Sequence, residues 1–69
     1  MKTTHKAVCE YDDGTKDTAT VVITGEGSEV FQVAWEISNG EKDRTVLEAA
    51  SNEEAFEMWC DDNGFEPES

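Results

Sequence analysis

The fold is decided by residues 16–38, which read KDTATVVITGEGSEVFQVAWEIS. Apolar side chains occupy every second position in two runs, which contain Ala19, Val21, Ile23, Phe31, Val33, Trp35 and Ile37. This period of two is typical of strands that bury one face. The Gly-rich stretch between the runs favours a turn, so the sequence predicts an antiparallel hairpin.

Two further strands are predicted beside this hairpin. Residues 6–11 and 44–50 show the same alternation, and Asp-Gly and Asn-Gly turn signals separate them from the central hairpin. Together with strands at 16–24 and 29–38, they predict a four-stranded antiparallel meander with one apolar face. The two outer strands are expected to have exposed edges.

The register of this sheet depends on the loop lengths. A three-residue loop after the second strand pairs Ile23 with Phe31. A five-residue loop after the third strand pairs Ile37 with Thr45, whereas a two-residue loop would turn basic side chains toward the apolar face. Because a slip of one residue inverts every side chain, the longer loop is the better prediction.

The last third of the chain predicts one helix, over residues 52–62. Ser51 and Glu54 match a capping box, and Gly64 stands where many helices end in the left-handed conformation. An apolar stripe at helical spacing contains Ala55, Phe56, Met58 and Trp59. The predicted fold is therefore α+β (ββββα), one domain over residues 1–69 with the helix across the apolar face of the meander.

Negative charge dominates the composition. The 69 residues include seventeen acidic and five basic side chains, for a formal charge of −12 at pH 7. All five bases precede residue 45. Direct binding of nucleic acid requires a basic face, and an anionic membrane would repel this chain, so neither is expected. No apolar stretch of signal-peptide length is visible, and we expect a soluble, cytoplasmic protein.

The residues that could support catalysis do not form a recognisable set. His5, the single histidine, is predicted to lie in a frayed terminus, ~13 Å from Cys9 along an extended strand. Asp12 and Asp13 begin a polar turn that lacks the ligand spacing of a calcium loop. Cys9 and Cys60 lack zinc-site spacing and are expected to be free thiols, although a disulfide between them stays open. No enzymatic activity, metal or cofactor is expected.

The acidic residues of the predicted helix form the one constellation that indicates a function. Steps of 100° place carboxylates opposite the apolar stripe, and no lysine relieves the like-charge pairs. The candidate partner-binding residues are Glu53, Glu54, Glu57, Asp61 and Asp62. The pattern favours an inhibitor or decoy that mimics nucleic acid and occupies the basic surface of a host nucleic-acid-binding protein. In size and charge, though in no motif, the chain is similar to small inhibitors encoded by viruses and mobile elements.

Two other interpretations stay open at this point. The acidity can reflect plain solvation of the surface or adaptation to high salt. The outer sheet face is also unusually apolar, since it carries Val8, Val22, Val30, Ala34 and Val46. Such a face can form the interface of a homodimer or larger assembly, or it can reflect the β-propensity of valine alone.

Overall fold

The computed structural model describes residues 1–68, so Ser69, the last residue of the predicted domain, lies outside the described residues. Along the chain the elements are β1 (Lys2–Glu10), β2 (Lys16–Gly25), β3 (Val30–Ile37), β4 (Lys42–Glu48), α1 (Asn52–Asn63) and β5 (Glu66–Pro67). The strands form one sheet in the order β4-β3-β2-β1-β5, and every neighbouring pair is antiparallel. The predicted α+β fold is confirmed, with α1 packed against the sheet.

The core lies between α1 and the face of the sheet that carries the odd-numbered strand residues. Its strand residues include Ala7, Ala19, Val21, Ile23, Phe31, Val33 and Ile37. The alternation seen in the sequence therefore has its expected cause, because these side chains all point toward the helix. We call this the inner face of the sheet, and the opposite one the outer face.

The loop between β2 and β3 has the predicted length of three residues but lies one residue further along the chain, because the amide of Glu26 donates to the carbonyl of Val30 at 2.9 Å. Ile23 pairs with Val33, not with Phe31. The loop includes Ser28 and Glu29 in the left-handed region, at φ 52° and 64°. The sequence pattern does not predict this conformation for these two residues. The register error is two residues, so every side chain still lies on its predicted face.

The hairpin between β3 and β4 is tighter than predicted. The amide of Ile37 donates to the carbonyl of Glu41 at 2.8 Å, which leaves a three-residue turn where five residues were expected. Thr45 consequently pairs with Val33, not with Ile37. The predicted register is wrong by four residues, again an even number, so the inner and outer faces of β4 are as predicted.

The first strand is longer and better covered than predicted. β1 begins at Lys2, and its outer edge pairs with the short β5, in which Pro67 lies opposite Ala7 and Glu66 opposite Val8. The predicted exposed edge on β1 is therefore wrong along this part. Two residues after a helix carry no strand pattern, and only the chain reversal at the helix end brings them there.

His5 is packed into the structure, which corrects the prediction of a frayed terminus. Its ring stacks on Phe56 with centroids 4.6 Å apart and an interplanar angle of 17°. Its Nε2 lies 2.8 Å from Thr3 Oγ1, and Asn52 Nδ2 donates to the same oxygen at 2.9 Å. Asn52 thus ties the start of α1 to β1.

The helix begins with the predicted cap in a modified form. Ser51 Oγ accepts from the amide of Glu54 at 3.1 Å. In return, Glu54 Oε1 accepts from the amide of Ala50 at 2.9 Å, one residue before the position used in the standard capping box. At the other end, Gly64 has a φ of 73°, which glycine adopts without strain.

The buried stripe of α1 contains Cys60 where the prediction placed Met58. Met58 is 38% exposed, whereas Cys60 is 2% exposed. Ala55 and Phe56 are buried as predicted. Trp59 is the centre of the helix contact, at 1% exposure.

Candidate partner-binding surface

The five predicted site residues lie together on the exposed side of α1. We call this set, Glu53, Glu54, Glu57, Asp61 and Asp62, the acidic helix face; all five side chains are exposed. Glu53, Glu57 and Asp61 follow one another at intervals of four residues, which is ~6 Å along a helix axis. The helix therefore holds three carboxylates in a row directed away from the core.

Glu54 differs from the other members of the acidic helix face. Its carboxylate accepts the hydrogen bond from the amide of Ala50, so it helps to cap the helix. Replacing Glu54 would disturb α1 as well as the surface charge. Tests of binding are therefore better made at the three residues of the row.

All five basic side chains lie on the other side of the molecule. Each occupies an outward-facing, even-numbered strand position, and they are Lys2, Lys6, Lys16, Lys42 and Arg44. Lys6 Nζ, for example, donates to Thr20 Oγ1 across the outer face at 2.8 Å. The strand acids on this same face are Glu10, Glu36, Glu48 and Glu66. The other thirteen of the seventeen acids lie on the loops, the inner face, α1 and the tail, with no base among them.

This segregation was missed in the sequence, although a signal for it is present there. Position along the chain shows only that the bases precede residue 45. The parity of the strand residues shows more, since the bases all fall on the polar half of the alternation. The helix side of the molecule therefore presents a field of one sign, which is stronger than the net charge alone implies.

The acidic row lowers the stability of its own helix, and a single substitution tests this. Glu57→Lys converts two like-charge pairs, with Glu53 and with Asp61, into two opposite-charge pairs. Each pair is worth ~0.2–0.5 kcal/mol in either direction, so we expect the free energy of unfolding to rise by about 1 kcal/mol. Urea denaturation followed by circular dichroism measures it. An unchanged or lower midpoint at low salt would contradict the repulsion.

The outer face carries a second surface feature, a shallow apolar groove across β2, β3 and β4. Val22 and Ala34 contribute to its lining, and so do the charged residues Glu36, Lys42 and Arg44. The groove is distant from the acidic helix face, because the sheet lies between them.

The two cysteines are free thiols with different surroundings. Cys60 lies on the buried side of α1, and burial raises the pKa of its thiol to about 11, with the charges of Asp61 and Glu57 adding to the effect. Cys9 is half-buried on β1. Because the thiolate is the reactive form, Cys60 should be unreactive while the protein is folded.

Alkylation should therefore distinguish the two thiols. At pH 8 we expect iodoacetamide to modify Cys9 first and Cys60 only on the timescale of unfolding, as read by mass spectrometry. Cys9→Ser serves as the control, since it isolates the Cys60 reaction. Rapid modification of Cys60 in the folded Cys9→Ser variant would contradict the burial of this side of α1.

The aspartate-rich turn after β1 is held by its own hydrogen bonds. Asp13 Oδ1 accepts from the amide and from the hydroxyl of Thr15, at 2.9 and 2.6 Å, and these bonds lower the pKa of Asp13. Tyr11 Oη donates to Asp17 at 2.6 Å, which raises the pKa of Tyr11 to about 12. Within residues 1–68 no group of three or more His, Cys, Asp or Glu side chains could hold a metal ion.

Comparison with known proteins adds no relative to this description. No protein-family model matches the chain, and no curated protein or solved structure matches it significantly. In the described part of the chain, the one α-helix is neither long nor apolar enough to span a membrane.

Proposed function

We propose that this chain is a small acidic binding module that occupies the basic surface of a nucleic-acid-handling protein. The observation that carries the proposal is the acidic helix face, a row of exposed carboxylates on a packed helix with no base on the same side of the molecule. A merely solvated surface tends to interleave charges of both signs. Here the bases are gathered on the opposite face instead.

The binding mechanism is electrostatic mimicry. Carboxylates held at regular intervals present negative charge as the phosphates of a nucleic-acid strand do, and lysines or arginines that normally bind phosphates can pair with them. The one-sided field speeds the encounter with a basic groove. Because α1 is packed through Trp59 and Phe56, little ordering of the helix is needed on binding.

The consequence for the partner is inhibition. A protein whose basic groove is filled by the acidic helix face cannot bind its DNA or RNA there, so the module acts as a decoy without catalysing a reaction. Such a role suits a small protein encoded by a phage or mobile element and acting in the cytoplasm. Cys9 and Cys60 would remain reduced in that compartment.

Capture from a bacterial lysate tests the proposal. The immobilised chain should retain a nucleic-acid-binding protein at ~50 mM salt and release most of it by ~200 mM salt, because exposed charges are screened over that range. Added DNA or RNA should displace the captured protein in proportion to its concentration. Retention that nucleic acid does not affect would contradict mimicry.

A second function, self-assembly through the outer face, is supported by the apolar groove lined by Val22 and Ala34. In this alternative the negative charge serves solubility. Val22→Lys would place a charge in the groove and should abolish an assembly formed through it. Sedimentation velocity of both forms measures the effect, and a wild-type chain that is monomeric at all concentrations would remove this alternative.

A further inference from the structure

Strand β4 is the least covered of the four long strands. It lies at one end of the strand order, next to β3 alone. Six of its seven residues are exposed, and Leu47 is half-buried. Val46 is 62% exposed, although valine is among the side chains most often buried in proteins. The opposite end of the sheet is β5, which has only two residues.

The free edge of β4 presents its backbone groups in a regular order. The amide of Ile37 bonds to Glu41 and the amide of Ala49 bonds to Glu29, so the odd-numbered residues of β4 form the hydrogen-bonded pairs with β3. Antiparallel ladders alternate strictly. The N–H and C=O groups of the even-numbered residues, from Lys42 to Glu48, therefore point away from the sheet toward the open edge, where the amide of Arg44 bonds to the side chain of Asp43.

We propose that a second copy of this chain pairs with β4 in antiparallel orientation, around a two-fold axis at Val46. In this register Val46 faces Val46 of the second copy, and Arg44 faces Glu48 of the second copy on both sides of the axis. All three are even-numbered, so their outward-directed groups can form the ladder. The two five-stranded sheets become one continuous sheet, in which β4 is central.

Charge supports a second copy as the occupant of this edge. β4 contains Lys42 and Arg44 against Asp43 and Glu48, so the strand is neutral in a chain whose formal charge is −12. The proposed register places opposite charges across the axis, which stabilises cross-strand pairs. Two chains of this charge repel one another, and a neutral edge strand adds nothing to that repulsion at the contact.

One contact in the single chain competes with this pairing. Asp43 Oδ1 accepts from the outward-directed amide of Arg44 at 2.8 Å. That side chain must turn aside before the amide can bond to the second copy. Asp43→Ala should therefore tighten the dimer, because it frees the amide and removes one negative charge from the edge.

Sedimentation equilibrium on four charge forms tests the register. At 150 mM salt we expect the wild-type dimer to have a dissociation constant below ~1 mM. Arg44→Glu or Glu48→Arg alone should raise this constant about tenfold or more, since each places like charges opposite one another. The double variant R44E/E48R restores the pairing and should dimerise as the wild type does. Circular dichroism confirms that each variant is folded.

Salt and a groove variant separate this proposal from the others. Screening reduces the repulsion between the two chains, so the dimer should be tighter at 150 mM than at 10 mM salt, whereas binding to the acidic helix face weakens. Val22→Lys, in the groove on the outer face, should leave the edge dimer unchanged. Failure of R44E/E48R to restore dimerisation, a dimer abolished by Val22→Lys, or a monomer throughout would each overturn the edge pairing without bearing on the acidic helix face.

Discussion

Replacing Trp59 by alanine is expected to unfold the protein. Trp59 is 1% exposed, and its ring lies 5.6 Å from that of Trp35 and 5.2 Å from that of Phe65. Truncating such a residue costs ~3–5 kcal/mol, and a core in a chain of this size rarely supplies more than ~3–5 kcal/mol of stability. The variant should therefore lose most of its circular dichroism signal at 25 °C and show no cooperative transition on heating.

Trp59→Phe is the matched control, because it retains an aromatic ring. The indole Nε1 of Trp59 is buried and has no hydrogen-bond partner among the described residues. Leaving such a group unpaired costs ~1–3 kcal/mol, and phenylalanine removes it, which offsets part of the lost packing. We expect this variant to be folded with a cooperative transition. A wild-type melting temperature in Trp59→Ala would contradict the placement of the core.

Reversing the row on the acidic helix face is expected to abolish partner binding. The variant E53K/E57K/D61K raises the formal charge from −12 to −6, because each reversal adds two charges. Losing three favourable contacts and gaining three repulsive ones should weaken the captured protein's binding by about 100-fold or more. Isothermal titration calorimetry at ~50 mM salt measures it, and circular dichroism verifies the fold. Unchanged affinity would exclude the row as the site.

The fold could be predicted because its main signal is parity. Residues such as Phe31 and Val33 alternate with polar ones, and this fixes which face is buried even when the register is wrong by two or four residues. The helix could be predicted equally well, since Ser51 is a favourable N-cap residue and Gly64 a residue that commonly ends helices.

The remaining structure depends on contacts that local patterns do not contain. The register followed loop conformations, such as positive φ at Ser28 and Glu29, that glycine-based turn rules do not anticipate. The placement of His5 against Phe56 joins residues that are far apart in the chain. The pairing of Pro67 with Ala7 in β5 is equally non-local.

The position of the candidate site on the helix could be predicted, but the placement of the bases and the hydrogen bond from the Ala50 amide to Glu54 were not. Helical periodicity alone placed Glu57 and Asp61 on the exposed side of α1. Helical periodicity could not show the segregation of the bases onto the outer face; the signal for that lies in the parity of the strand residues, where all five bases occupy even-numbered positions. Nor could helical periodicity show that Glu54 has a capping role, because that depends on the backbone turning at Ala50.

The most direct test of the acidic helix face compares two variants of equal net charge. E53K/E57K/D61K and D12K/E26K/E29K both carry a formal charge of −6, but the second changes only loop residues. Their affinities for the protein captured by the wild-type chain would be measured at the same salt concentration. We predict that the helix variant loses binding while the loop variant stays within a few-fold of wild type. Equal losses in both would mean that net charge, and not the carboxylate row on α1, determines binding.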